Sequence, residues 1–455
     1  LKRASESAQS LRLHRTVALR KHDVNLALLI TQILAFAILL LGGAPVALAL
    51  GGSSALVLAC FMGPRQLLSL PMAMAGATDS HILLAIPFFI LAGTILAESS
   101  LSRRLVTLAA LLTRGCRGGL GIAMVVAGIF MAGISGSGPA DVAILGTIMI
   151  PMMMAQNYSR GLASGLTALA GSIGIIVPPS IALLIYGSVT PGVSIEKLFL
   201  GGVGPGILMG GLLAVTVPWL VPRVALDSSK KPPDDISLVK AIWQAGWAIL
   251  FPFIILGGIY FGVFTPTEAA AVAVVYAVFV SAVIYRDLSF RTLVRCLADA
   301  ARVSAGVMIL VACAAAFARI LTMQGVAAAA GTWLSINVEN RWVLLLGVNL
   351  LVLVTGCFLD AISIFYILVP IVLPVLTAAG FDPVHLGVVF AVNLAIGQVT
   401  PPVGVNLFVS CSLSKASIGE TVRESFPLFM AAVLALVLVN AFPQIVLWLP
   451  LTMQK

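Results

Sequence analysis

Two proline pairs stand in the middle of apolar stretches of this chain, in "GSIGIIVPPSIALLIYG" at 171–187 and "NLAIGQVTPPVGVNLFVS" at 393–410. Proline has no main-chain N–H, so Pro178 and Pro179 deprive the carbonyls of Gly174 and Ile175 of their helical donors, and Pro401 and Pro402 do the same to Gly397 and Gln398. In hydrocarbon an unpaired carbonyl is costly unless its oxygen binds something. Neutral oxygens converging in a dry pocket suit a small hard cation, and the C-terminal end of a half-helix adds negative partial charge. Sodium is the expected ion. Beyond each proline pair the next half-helix presents N–H groups, which would receive a carboxylate substrate, with Ser180 and Asn406 as side-chain contacts. A single proline in a membrane helix is ordinarily a packing kink. A duplicated pair, with glycine four residues ahead each time, reads as a site.

The duplication extends well beyond the prolines. One shift of 223 residues (401 − 178) pairs Pro178 and Pro179 with Pro401 and Pro402, Gly133 with Gly356, Pro151 with Pro374, Gly174 with Gly397, and Ser194 with Ser417. Glycines and prolines held in one register over some 60 residues mark an internal repeat. In each half the segment before the broken one, 120–155 and 342–378, is too long for one span and is interrupted by small and polar residues, "GISGSGPAD" and "TGCFLDA". Each is expected to be a re-entrant hairpin with its tip buried in protein. The tips face the broken helices. Ser135 and Ser137 join Gly174 and Ile175 in a first constellation, and Thr355 and Gly356 join Gly397, Gln398 and Thr400 in a second.

These constellations need a membrane around them, and composition supplies the reason to expect one. Hydrophobic residues make up 60% of the 455 and charged residues 9%, with a mean hydropathy of +1.12, far from a soluble globular average. Apolar segments are read near 24–41, 44–62, 81–97, 120–155, 161–190 and 198–222, then 242–263, 266–285, 303–321, 342–378, 384–412 and 426–448. With the hairpins not crossing, each half crosses five times, so the halves are inverted relative to one another. The fold class is an all-α polytopic membrane protein of inverted-repeat ion-transporter type with two re-entrant hairpins and two broken helices. The chain divides into a basic tail (1–23), scaffold helices (24–118) and transport elements (119–222) of the first repeat, a polar inter-repeat loop (223–241), and scaffold helices (242–341) and transport elements (342–450) of the second.

Several function classes drop out. The formal charge of +9 could suggest nucleic acid, but the basic residues lie in short loops, where they orient helices. Putting 98–118, 156–160, 223–241, 286–302 and 413–425 in the cytoplasm gathers 15 Lys and Arg there against 5 elsewhere, with six more in the tail. No G-x-x-x-x-G-K-[ST] loop is present for ATP. The six cysteines are scattered without C-x-x-C pairs and read as packing residues. No Ser/His, Cys/His or metal-ligand cluster suggests an enzyme. No cleavable signal peptide is expected, because the first apolar run follows the basic tail. Stretches 102–118 and 286–304 alternate basic and apolar residues at helical spacing and read as interfacial amphipathic helices, next to membrane lipid. The acids Asp141 and Asp360 do not match at the 223 shift, which fits helix capping or hairpin bracing as well as ion coupling; Glu268, in "TPTEAAA", reads as a helix cap. Beyond His14 in the tail, His22, His81 and His385 lie at segment edges and are not expected to relay protons.

The stretches "IPFFILAGTILAESS", "GISGSGPADVAILGTIMIPMM", "GSIGIIVPPSIALLIYG", "FGVFTPTEAAAVAVVYA" and "NLAIGQVTPPVGVNLF" resemble the large permease (DctM-type) subunit of tripartite ATP-independent periplasmic (TRAP) transporters, over about residues 24–450. The resemblance implies an elevator-type, sodium-coupled importer of organic acids (a C4-dicarboxylate, sialic acid or similar carboxylate) in the bacterial inner membrane. It implies two partners, a small four-helix membrane subunit and a soluble periplasmic substrate-binding protein, and no cofactor beyond the coupling sodium. The family's ion sites fall by motif on Ser135, Ser137, Gly174, Val177 and Pro178, and on Thr355, Gly356, Gly397 and Thr400. Gly138 and Pro139 depart from the Ala or Ser usual in the family's first tip. The alternative is a stand-alone sodium- or proton-coupled organic anion transporter of the same superfamily.

Overall fold

The computed structural model describes residues 26–221, 237–326, 329 and 340–453. The basic tail at 1–23, with His14 and His22, and residues 223–236 of the inter-repeat loop lie outside the described residues. Every regular element among the described residues is helical, and eight helices are long and apolar enough to cross a membrane. Bulky side chains such as Trp219, Trp243 and Phe253 are exposed, as lipid-facing residues are.

The first half contains α1 (Leu26–Leu41), α2 (Val46–Val57), α3 (Ser69–Thr78), α4 (Ala85–Glu98), α5 (Leu101–Leu112), α6 (Gly119–Ser135), α7 (Gly138–Ala155), α8 (Arg160–Ser172), α9 (Ile181–Val189) and α10 (Ile195–Leu220). The second contains α11 (Leu238–Tyr260), α12 (Pro266–Phe279), α13 (Phe290–Met323), α14 (Arg341–Gly356), α15 (Ala361–Ala378), α16 (Pro383–Gly397), α17 (Val405–Ser414), α18 (Ile418–Ala441) and α19 (Gln444–Thr452). The 223-residue shift now holds for structure. It carries both ends of α7 onto α15 and the first residues of α8 and α10 onto those of α16 and α18. Even the π-helical turn that ends α2 (Leu58–Met62) has its counterpart after α12 (Val280–Ile284). Matching caps set these starts, since Ser194 accepts from the Lys197 N–H and Ser417 from that of Glu420, both at 3.2 Å.

Helices α6–α7 and α14–α15 are the two hairpins, and α8–α9 and α16–α17 are the two broken helices. The hairpin arms are 16 to 18 residues long, about 24–27 Å at the helical rise. A hairpin contributes either no crossing or two. In both cases it leaves unchanged whether the number of crossings per repeat is odd or even, so the expected inversion does not depend on whether the hairpins span.

Several boundaries differ from the sequence reading, among them the expected amphipathic helix at 102–118, which is helical over Leu101–Leu112 and stops before Gly115 (φ +96°). Helix α11 starts at Leu238, inside the expected loop, because Ser237 caps it by accepting from the Lys240 N–H. The expected amphipathic helix at 286–304 and span at 303–321 are one helix, α13, of 34 residues; no proline separates them. The expected last span at 426–448 begins at Ile418 behind its Ser417 cap and stops at Ala441 before Pro443, leaving α19 separate. Helix α3, with Pro71 in its first turn, is additional. Glu268 does cap α12, forming a reciprocal capping box with Thr265.

The described residues group into two compact units. One takes those within Leu1–Asp79, Met308–Val348 and Phe365–Phe381, and the other those within Ser80–Val307, Asn349–Ile364 and Asp382–Lys455. The first unit buries Leu28, Val57, Leu58, Leu70, Ala316 and Ile320 together, and the Gln32 amide donates to the Phe317 carbonyl at 3.3 Å. In the second, α6, α7 and α8 approach until backbone meets backbone. A Cβ on Gly128 would lie 2.7 Å from the Ala170 oxygen, and one on Gly171 would lie 2.8 Å from the Val142 nitrogen. Small residues permit such approach where helices associate in lipid. Helices from different repeats pair in the same unit. Ser164 of α8 donates to Ser410 of α17 at 3.0 Å, and the Tyr186 hydroxyl of α9 donates to the Pro383 carbonyl of α16 at 2.7 Å.

A Gly128→Val substitution is expected to lower the temperature at which the detergent-solubilised protein loses monodispersity. Gly211→Val on α10, where an added Cβ meets nothing within 4 Å, is expected to leave it unchanged. Equal effects of the two would contradict the close packing of α6 on α8.

Candidate functional site

The first hairpin turns at Gly136, which ends α6 in the left-handed region (φ +62°), a conformation that favours glycine. The Gly136 carbonyl accepts the first N–H of α9, that of Ile181, at 3.3 Å, and a Cβ on Gly136 would run into the Pro179 carbonyl. Hairpin tip and helix break are thus in direct contact. Within the tip, Ser135 Oγ donates to Asp141 Oδ1 at 2.5 Å and accepts the Ser137 N–H at 3.2 Å. Asp141 lies in the first turn of α7, where the helix dipole favours a carboxylate, and it is fully buried. Its Oδ2 has no hydrogen-bond partner and lies against Gly174, whose missing Cβ leaves the room.

The break itself, residues 171–180, is buried throughout. Ser180 caps α9 by accepting from the Leu183 N–H at 3.3 Å and donates to the Ile175 carbonyl at 2.5 Å. The oxygen freed by Pro179 therefore has a donor, and the Ser180 hydroxyl is occupied inside the protein. The Val177 N–H bonds to the Ile173 carbonyl at 3.0 Å. Pro178 places its carbonyl 3.8 Å from where a Cβ of Gly133 would be.

The second hairpin meets its broken helix in the same way. Gly404, the counterpart of Ile181, donates its N–H to the Cys357 carbonyl at 3.0 Å. Gly356 and Gly397 cross backbone to backbone; a Cβ on Gly397 would lie 2.9 Å from the Gly356 Cα. The Gly397 carbonyl accepts from the Thr400 N–H at 3.0 Å, and that of Gln398 accepts from Asn406 and Leu407 at 3.0 and 3.2 Å. Thr400 Oγ1 donates to the Ile396 carbonyl and Thr355 Oγ1 to that of Leu351. Asp360 caps α15, accepting from the Ile362 N–H at 3.1 Å and the Ser363 hydroxyl at 2.6 Å. Both Pro-Pro peptides are cis. Pro401 and Pro402 are exposed, whereas Pro178 and Pro179 are buried.

The structure thus brings Ser135, Ser137, Gly174, Ile175, Val177 and Pro178 together around one contact, and Thr355, Gly356, Gly397, Gln398 and Thr400 around another. A carbonyl has two lone pairs, so those of Ile175 and Gly397 keep an acceptor position beside the bond each makes, whereas that of Gln398 already accepts two N–H groups. The half-helix N-termini are less open than the sequence suggests, because the N–H groups of Ile181, Leu183 and Gly404 already have acceptors. Asn406, expected at the substrate, is fully buried and donates through Nδ2 to Ser172 Oγ at 2.7 Å. Ser172 carries no sequence signal; a serine in a helix two residues before a glycine is unremarkable by spacing. Among the described residues no group of three or more His, Cys, Asp or Glu is placed to hold a metal.

Comparison with known proteins supplies the family. The family model described as "Tripartite ATP-independent periplasmic transporter, DctM component" matches residues 33–445. The C4-dicarboxylate TRAP transporter large permease protein DctM of Pseudomonas aeruginosa is 38% identical over 406 residues, which cover 88% of this chain and 93% of that one. The isethionate TRAP transporter permease protein DctMQ of Oleidesulfovibrio alaskensis is 38% identical over 90% of this chain and 64% of its own length. Among solved structures, the YdaH transporter of Alcanivorax borkumensis superposes with a TM-score of 0.62 at 17% identity, covering 90% of this chain and 98% of that one, a likeness of fold. These relatives are permeases rather than enzymes. With matching residues running through both hairpins and both broken helices, the chain belongs to the DctM family, the large permease component of tripartite ATP-independent periplasmic transporters.

Proposed function

We propose that this subunit imports a small organic acid into the cell, driven by a sodium gradient, through an elevator-type movement of the elements that carry the two hairpins and two broken helices. The observation that carries the reading is the duplicated contact of a hairpin tip with a proline-broken helix. Each contact gathers hydroxyl and carbonyl oxygens where hydrocarbon offers none, and the ion would be held by those oxygens without a dedicated carboxylate cage. Ser135, Ser137, Gly174, Ile175, Val177 and Pro178 would form the first site. Thr355, Gly356, Gly397, Gln398 and Thr400 would form the second.

The substrate would be a C4-dicarboxylate, sialic acid or a similar carboxylate, delivered by a periplasmic binding protein. The substrates for which the relatives are named, a C4-dicarboxylate and isethionate, support an organic anion and leave the choice of acid to that partner. Ser180 and Asn406 would then act on the substrate through the segments they hold. A small four-helix membrane subunit completes the complex in the bacterial inner membrane, where the basic loops orient the chain.

Uptake of the cognate acid by proteoliposomes holding both membrane subunits is expected to require a sodium gradient and the purified binding protein. Ser137→Ala and Thr400→Ala are each expected to lower the initial rate about tenfold, which corresponds to ~1.4 kcal/mol. Sodium-independent uptake by both variants would remove the ion-site assignment. Gly174→Ala drives a methyl group into Asp141 Oδ2 and is expected to abolish uptake while the protein remains monodisperse on gel filtration.

A further inference from the structure

Asn406 is hydrogen-bonded to residues at both helix breaks. The main-chain N–H of Asn406, in the first turn of α17, donates to the Gln398 carbonyl at 3.0 Å in the second break. Its side-chain amide donates at 2.7 Å to Ser172, the last residue of α8 and two residues ahead of Gly174 in the first break. The same amide nitrogen would sit 2.7 Å from a Cβ on Gly138, so it also lies against the start of α7 in the first hairpin. The missing methyl of Gly138 is the space that Asn406 fills.

The chemistry of the bond is directional. Ser172 gives its hydroxyl proton to the Ala168 carbonyl at 2.7 Å, so it offers Asn406 a lone pair, and only the NH2 end of the amide can satisfy it. Asn406 and Ser172 are both fully buried, where a hydrogen bond is electrostatically stronger than in water. The 223-residue shift places Leu183 and Ala395 at the counterpart positions, and neither can make such a bond. The latch is therefore built once, from the second repeat to the first, and the repeat symmetry does not account for it.

We propose that Asn406, through Ser172, couples the two cation sites, so that an ion ordering one break favours binding at the other. This deepens the sodium reading above and rests on it. When an ion fixes residues 397–400 against the second hairpin, the Gln398 carbonyl holds the start of α17 in place. The Asn406 amide then holds the end of α8, and with it Gly174 and the first tip. A segment ordered once needs less ordering when the second ion arrives, which is positive cooperativity. Asn406 is a positioning residue in this account and touches neither ion.

Equilibrium binding of radioactive sodium to the full chain, purified with its small membrane subunit, tests the coupling without knowledge of the acid. The wild type is expected to bind two ions with a Hill coefficient approaching 2, the number of sites. Asn406→Ala and Ser172→Ala should still bind two ions but with a coefficient of about 1 and a half-saturating concentration raised roughly fivefold. The double variant should go no further than either single one, and Ser172→Thr, which keeps the acceptor, should bind as the wild type does. Ser172→Ala removes a single oxygen and serves if Asn406→Ala does not fold. Undiminished cooperativity in Ser172→Ala, or a wild type that binds two ions independently, would overturn the coupling and leave the sodium reading standing. A wild type that binds no sodium would overturn both.

Discussion

A main-chain carbonyl cannot be left unpaired in hydrocarbon, and most of this structure follows from how the chain meets that demand at two helix breaks. Two proline pairs release the oxygens of Gly174, Ile175, Gly397 and Gln398. Nearby groups answer three of them: the Ser180 hydroxyl for Ile175, the Thr400 N–H for Gly397, and the first turn of α17 for Gln398. The half-helices beyond the breaks in turn give their leading N–H groups to hairpin carbonyls, Ile181 to Gly136 and Gly404 to Cys357. Neither hairpin nor break is a complete hydrogen-bonding unit alone. The glycines at their contacts, Gly136 in one repeat and Gly356 with Gly397 in the other, are there because a methyl group would separate them.

The repeats share this plan and differ in its polar content. In the first, a fully buried carboxylate, Asp141, is bonded to Ser135 and pressed against Gly174. In the second the equivalent space is closed by glycine on glycine, and the acid, Asp360, stands at the position equivalent to Ser137, where it caps α15. The first proline pair is buried and the second exposed. The Asn406 to Ser172 bond gives the two breaks a physical link that the symmetry of the duplication does not provide.

Much of the architecture was legible in the sequence because membrane insertion and helix breaking are local physics. Apolar length announced the spans, and glycine and proline in register announced the repeat, whose element boundaries the structure reproduces down to the starts of α15, α16 and α18. Local signals failed where a cap or a missing breaker outweighed hydropathy. Ser237 and Ser417 started helices several residues before the apolar run, and the absence of proline let α13 continue through what composition divides into two elements. At the site, residue types identified the segments but not their partners. Ser180 and Asn406 looked like groups facing a ligand, because a polar residue beside a break reads that way in one dimension; in three dimensions both have acceptors or donors within the protein.

The sequence by itself determined that this chain is a membrane transporter subunit built as a duplicated unit with two broken helices. Those properties depend on apolar length, proline chemistry and spacing, each of which acts within a few residues. Only the tertiary structure decided which freed oxygens have donors, that Asp141 meets Gly174, and that Asn406 reaches Ser172, 234 residues away. Such pairings are set by how helices from different repeats pack, and no spacing along the chain encodes a hydrogen bond between them.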